Sequence, residues 1–350
     1  MKSASIKLSS YNKLYLISNL ATLISSGIPI LESVESLITE AKGSSKKVLE
    51  ILKEDLNQGK TIATSFSRSP DAFDKVSINL IKASEESGTL ETTLKDLTSS
   101  IKKDIDFSNK IKGALTYPIL VIIVLLVVIN INLFFVIPRI SKVFLRLNID
   151  IPLPTKILIG TSNLFVNHLF LVIASIILIL IFFYFLFKTK RRLFIGIFSS
   201  LPLISTLITE IDITRFCRSM FLLLSSGIPI TEALDLTKNV VNKKKISSII
   251  EESSKSVSSG KNISEALKKS RGLIPNFMVR IIEAGEKSGT LEKSMQELSE
   301  QFDERVSNRL KTLTTLLEPI LLIIVGVLVG AIMLAIIAPI YNMIGKIKVR

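Results

Sequence analysis

Few residues in this chain could do chemistry, and their numbers rule out most of it. The 350 residues hold one histidine, His168, and one cysteine, Cys217. A lone cysteine makes no intramolecular disulfide and no multi-cysteine metal cluster. A lone histidine cannot form the two-histidine zinc motif. Neither supports a Ser/His/Asp or Cys/His catalytic constellation. There is no Gly-x-x-x-x-Gly-Lys-Ser/Thr loop, so any ATP must be hydrolysed elsewhere. What remains is a pair of acidic corners. Glu85-Glu86-Ser87-Gly88-Thr89-Leu90 returns as Glu286-Lys287-Ser288-Gly289-Thr290-Leu291, 201 residues later.

Each glutamate falls in the last turn of an expected helix that Gly88 or Gly289 ends. A carboxylate there opposes the helix dipole and needs a partner. The expected partner is the N-terminus of the following helix, brought close by the turn. Thr89 and Thr290 are placed to cap that helix, with Glu91 and Glu292 in its first turn. On this reading the glutamate locks a corner, in preference to a metal or partner-binding role.

The corners belong to a longer repeat. Leu23-Ile24-Ser25-Ser26-Gly27-Ile28-Pro29-Ile30 returns as Leu223-Leu224-Ser225-Ser226-Gly227-Ile228-Pro229-Ile230. Tyr117-Pro118-Ile119-Leu120 matches Glu318-Pro319-Ile320-Leu321, each opening an apolar run. Three landmarks in one order indicate one unit used twice. Gly27 and Gly227 suit a left-handed helix end, and Pro29 and Pro229 suit the first turn of the next helix. Leu14, Ile17, Leu20, Ala21 and Ile24 form a stripe at helical spacing. Cys217 occupies the position of Ile17 and reads as a buried structural thiol. Gly59 and Gly260 stop a third helix, and a fourth starts near Thr61. No segment shows sustained two-residue alternation, so each copy reads as an all-α bundle of about six helices.

Composition adds the membrane. The chain is 48% hydrophobic yet 21% charged, which fits polar domains alternating with apolar spans. The expected order is a first helical domain at 1–112, a span at 113–138, a connector at 139–168, a span at 169–187, a second helical domain at 188–317, a span at 318–345 and a basic tail at 346–350. Asn130 and Asn132 in the first span read as contacts between helices. Gly326 and Gly330 form a small-x-x-x-small pattern in the third. The net charge is +14, concentrated beside apolar runs such as Lys188-Thr189-Lys190-Arg191-Arg192. That run places both polar domains in the cytoplasm. The basic residues do not form one stripe with interleaved aromatics, so direct nucleic-acid binding is not expected.

The chain resembles the type II secretion F protein family, the inner-membrane platform proteins of type II secretion, type IV pilus and competence pseudopilus machines. The resemblance covers nearly the whole chain. It rests on Gly27-Ile28-Pro29 and Gly227-Ile228-Pro229, on Glu85, Ser87, Gly88 and Leu90, on Gly285, Glu286, Ser288, Gly289 and Leu291, and on the run Ala114 to Pro118 with its counterpart Pro319. One departure is Ser84, where the family pattern has the glycine that copy two keeps as Gly285. The resemblance implies a multi-pass bacterial cytoplasmic-membrane protein that is no enzyme and uses no cofactor. It couples a cytoplasmic hexameric ATPase to insertion of pilin-like subunits into a filament. The implied partners are that ATPase, pilin or pseudopilin transmembrane helices, other inner-membrane assembly proteins, membrane lipid and a further copy of the chain. Calcium binding by the first domain of some members is not carried over, because no ligand set matches residue by residue. Two other classes stand against this reading. A small transporter or channel component would have repeats and polar intramembrane residues, but here no span carries an interior charge. A membrane enzyme lacks catalytic residues.

Overall fold

The computed structural model describes residues 6–146, 153–167, 202–268 and 272–347, and every regular element among them is helical. The first copy contributes α1 (Ser10–Ser25), α2 (Ile30–Glu40), α3 (Gly43–Asn57), α4 (Ile62–Ser67), α5 (Lys75–Ser87) and α6 (Leu90–Ile131). A π-helical turn, Asn132–Val136, leads into α7 (Ile137–Arg146), and α8 (Leu153–Asn167) follows. The second copy repeats the order as α9 (Pro202–Ser225), α10 (Ile230–Thr237), α11 (Lys244–Ser258), α12 (Ile263–Lys268), α13 (Asn276–Ser288) and α14 (Leu291–Ile347). The expected second span at 169–187, the basic run 188–192 and His168 lie outside the described residues.

Local chemistry explains the helix ends. The Ser9 side chain caps α1 by accepting from the Asn12 amide at 3.1 Å, and Asp74 caps α5 through the Ser77 amide at 2.9 Å. Such caps satisfy donors that a helix start leaves orphaned. The Leu16, Ile17, Leu20 and Ala21 face of α1 is buried, while Leu14 and Ile24 of the expected stripe are partly buried against the same core. Gly27 and Gly227 take φ of 80° and 77°, where a Cβ is disfavoured. Pro29 and Pro229 stand one position before the place expected for them. Each is the N-cap, with ψ near 145° and 142°, and helix begins at Ile30 or Ile230. Each carbonyl still accepts the first helical bond, from Ser33 and Ala233 at 2.9 Å.

The chain divides into two compact units. One joins both polar copies, Met1–Lys110 with Phe198–Asn308. Its core includes Leu52, Phe66, Phe73 and Ile81 from copy one and Met220, Leu234, Ile282 and Phe302 from copy two. Phe66 and Phe73 stack at 3.9 Å.

The other unit takes Ile111–Ile197 and Arg309–Arg350. Among its described residues, Leu322, Ile323 and Val327 are each about two-thirds exposed. Two helices among the described residues, α6 continued through α7 and α14, are long and apolar enough to cross a membrane, and neither apolar stretch is buried. The helix α6 runs through the expected boundary at 112–113 without a break, and Pro118 lies inside it rather than at a helix start. The amides of Asn130 and Asn132 donate to Leu126 and Val128 carbonyls of their own helix, at 2.8 and 2.9 Å. The Ser162 hydroxyl of α8 donates to the Leu133 carbonyl within the π turn. Phe134 meets Phe165 edge-on at 6.1 Å. The connector therefore folds α8 back onto the π turn.

Candidate functional site: the acidic corners and the junction of the copies

The two family-type glutamates do the same thing in both copies. Glu85 at the end of α5 accepts from the Ile62 amide at 2.6 Å and the Ala63 amide at 3.0 Å. Glu286 at the end of α13 accepts from the amides of Ile263 and Ser264, the latter at 3.0 Å. Each carboxylate thus closes the N-terminus of the short fourth helix of its copy, α4 or α12. The partner is a helix N-terminus, as expected, but of the preceding helix rather than the following one. The reason is direction. The chain leaves α5 through a left-handed Gly88, φ 74°, and α6 departs, while α4 already lies beside α5. A negative group at a helix N-terminus offsets the cost of the same group at a C-terminus.

The rest of each motif closes the turn. The amide of Thr89 donates to Ser84 O at 3.0 Å and that of Thr290 to Gly285 O at 2.9 Å. The hydroxyls of Ser87 and Thr89 bond to one another at 2.7 Å, as do those of Ser288 and Thr290. The threonine side chains therefore brace the turn and do not cap α6 or α14. Leu90 and Leu291 pack against the core. Gly285 is required by space: a Cβ there would sit 2.3 Å from Ser294 Oγ. Ser84 fits in copy one, buried, with its hydroxyl returned to Ile81 O at 2.8 Å. Chemically the corners offer little. Both oxygens of each glutamate are already occupied by backbone donors. Among the described residues no three His, Cys, Asp or Glu side chains are grouped to hold a metal. Cys217 is fully buried and its thiol is pushed well above the ordinary value by burial, as a structural thiol should be.

A second cluster was not anticipated. Arg218 of α9 is almost wholly buried. Its guanidinium bonds to Asp104 of α6 and reaches Asp303 of α14 at 3.4 Å. It lies 5.5 Å from the Phe107 ring centroid, within cation–π range. Lys110 of α6 pairs with the other oxygen of Asp303 at 2.7 Å. Lys103 and Glu300 add a looser pair at 3.9 Å. These bonds join copy one to copy two. The sequence did hold a signal: aligning the repeat puts Ser18 opposite Arg218, a charge gained in one copy only. Asp212 is a further missed residue. Fully buried in α9, it accepts from the amides of Asn242 and Lys243, at 3.0 and 2.7 Å, and so anchors the entry to α11.

A duplicated all-helical unit, with each copy running into an exposed apolar helix, defines the class. The chain belongs to the family of type II secretion system (T2SS) protein F, whose profile matches twice, at residues 16–138 and 216–339. Its relatives include a type IV pilus assembly protein PilC of Myxococcus xanthus, 28% identical over 80% of this chain and 68% of that protein. A PilC of Pseudomonas aeruginosa is 29% identical over 80% of this chain and 76% of its own length. A type II secretion system protein F of the same organism is 27% identical over 79% and 69%. These names describe assembly and secretion, not a reaction. The two profile matches begin and end at corresponding points of the two copies, which supports the reading of one unit used twice.

Proposed function

We propose that this chain is a cytoplasmic-membrane platform of a type IV pilus, type II secretion or competence pseudopilus machine. It couples a cytoplasmic hexameric ATPase to the insertion of pilin-like subunits into a filament. The observation that carries this reading is the doubled family match, in which each polar copy ends in a continuous helix with an unburied apolar stretch. Each of these helices carries a polar and an apolar stretch in one element, as a helix entering lipid from water does. The polar copies lie in the cytoplasm, with three spans in all, and the basic run 188–192 marks the cytoplasmic side. Pilin or pseudopilin transmembrane helices meet the apolar faces, and the ATPase meets the polar unit. The corners hold the polar unit in shape and take no part in chemistry.

The test is binding of the full chain, in lipid nanodiscs, to the host's secretion-type ATPase across a range of salt. Saturable binding that changes with the bound nucleotide supports the reading. Deletion of the gene should abolish filaments, secretion or DNA uptake while leaving membrane potential intact. Solute transport by the purified chain in vesicles, with no effect of deletion on assembly, would replace this reading with the transporter.

A further inference from the structure

The two copies differ where they meet, and they differ in sign. Core positions of the sixth helices align at an offset of 201, as Leu94, Leu97 and Ile101 do with Met295, Leu298 and Phe302, all buried. In that register Asp104 stands opposite Arg305 and Lys102 opposite Asp303. Lys103 stands opposite Glu304, and in the first helices, at an offset of 200, Ser18 stands opposite Arg218. The observed contact sets Asp104 against Arg218, Lys110 against Asp303 and Lys103 against Glu300. Replacing α14 by a second α6 would bring Lys102 to Lys110. Replacing α6 by a second α14 would bring Arg305 to Arg218 and Glu304 to Glu300. Both alternatives juxtapose like charges, which is how an interface rejects wrong partners.

Beside the cluster lies a cavity of about 710 Å³, lined among others by Arg218, Asp104, Phe107, Arg215, Leu222 and Val240. The Nε of Arg218 is buried without a partner among the described residues, a cost the fold of one copy does not require, since Ser18 serves there. A buried, incompletely satisfied charge adds little net stability, and in some proteins such a group fixes which partner is accepted.

We propose that Arg218 is the positioning residue that selects copy one as the partner of copy two and makes the two move as one body. The pairing stands on the geometry alone. Its role in coupling rests on the platform reading above.

Zero-length carbodiimide crosslinking of the full chain in native membranes, digested and read by mass spectrometry, tests it. The 2.7 Å pair gives a Lys110–Asp303 crosslinked peptide in the parent chain. Arg218→Glu should lower its yield several-fold with helicity unchanged. Arg218→Lys should retain most of it, and Arg218→Glu with Asp104→Arg should restore part of it, since the introduced carboxylate still faces Asp303. Assembly activity should fall and recover in parallel. An unchanged yield in Arg218→Glu, or no recovery in the double variant, overturns the pairing. Lost crosslinking with full assembly overturns the coupling. If the crosslinks behave as expected but gene deletion leaves filaments and secretion untouched, the platform reading fails and the pairing survives.

Discussion

The Glu85 carboxylate holds the Ile62 amide at 2.6 Å across 23 residues of sequence, and with Ala63 it closes the start of α4. A charged acceptor on two amides is stronger than a neutral one. Glu85→Ala should therefore destabilise the polar unit by about 2 kcal/mol, and Glu85→Gln by about 1 kcal/mol, since the amide keeps one acceptor. Glu286→Ala should match Glu85→Ala. Denaturant unfolding followed by helicity measures each. Unchanged melting in Glu85→Gln with lost partner binding would assign the corner to recognition instead.

The same corner is tighter in copy two. A Cβ on Gly285 would meet Ser294 Oγ at 2.3 Å, Ser294 Cβ at 2.9 Å and Leu291 Cα at 3.2 Å. The hydroxyl can rotate away, but the Leu291 backbone cannot. Gly285→Ala should cost about 1–3 kcal/mol by overpacking. Adding Ser294→Ala should recover part of that loss. Ser84→Gly in copy one should cost under about 1 kcal/mol, mainly from added chain entropy.

Much of this was legible because the chain is written twice. The repeat fixed the helix ends at Gly27, Gly59 and Gly88, since each glycine recurs and each has a positive φ in both copies. It also picked out Glu85 and Glu286 as residues in need of a helix N-terminus. Which N-terminus was not legible. Periodicity reports the face a helix buries, not the neighbour it buries it against, and α4 is too short to leave a strong pattern. Arg218 escaped for the opposite reason. Agreement between copies finds what each copy needs to fold, whereas the contact between copies is built from disagreement, as at Ser18 and Arg218. The amides of Asn130 and Asn132 bond to their own helix, a contact that hydropathy alone does not foretell.

Cys217 offers a direct probe of the second copy's core. It has no exposed surface, and burial raises its thiol well above the ordinary value, so little thiolate forms at neutral pH. N-ethylmaleimide should leave it unlabelled in the folded chain and label it fully in denaturant. Labelling of the native chain within minutes would mean that α9 opens locally. Cys217→Ser should lower stability by about 1–3 kcal/mol, since it introduces a hydroxyl at an apolar site.

Asp55 gives the polar unit an acid limit. Its residue is fully buried, and one oxygen accepts from Arg68 at 2.6 Å and Lys60 at 2.9 Å. Burial alone would raise its pKa, but the hydrogen bonds and charges of Arg68 and Lys60 outweigh burial and hold the carboxyl below the usual range. The sign follows from linkage. A carboxyl whose folded value lies below its unfolded value of about 3.9 binds protons more readily when unfolded. Its contribution is therefore fully present above that unfolded value and is lost as pH falls through the folded one. Asp55→Asn removes this dependence and strands Arg68 and Lys60 without their anion. At pH 7 the variant should be clearly less stable than the parent chain. The gap should narrow as pH falls from about 4, because the parent loses what the variant never had. Denaturation midpoints measured from pH 7 to about pH 2.5 would show the two curves converging. Parallel curves would mean that the Asp55 carboxyl binds protons alike in the folded and unfolded chain, so that its ion pairs do not stabilise the fold.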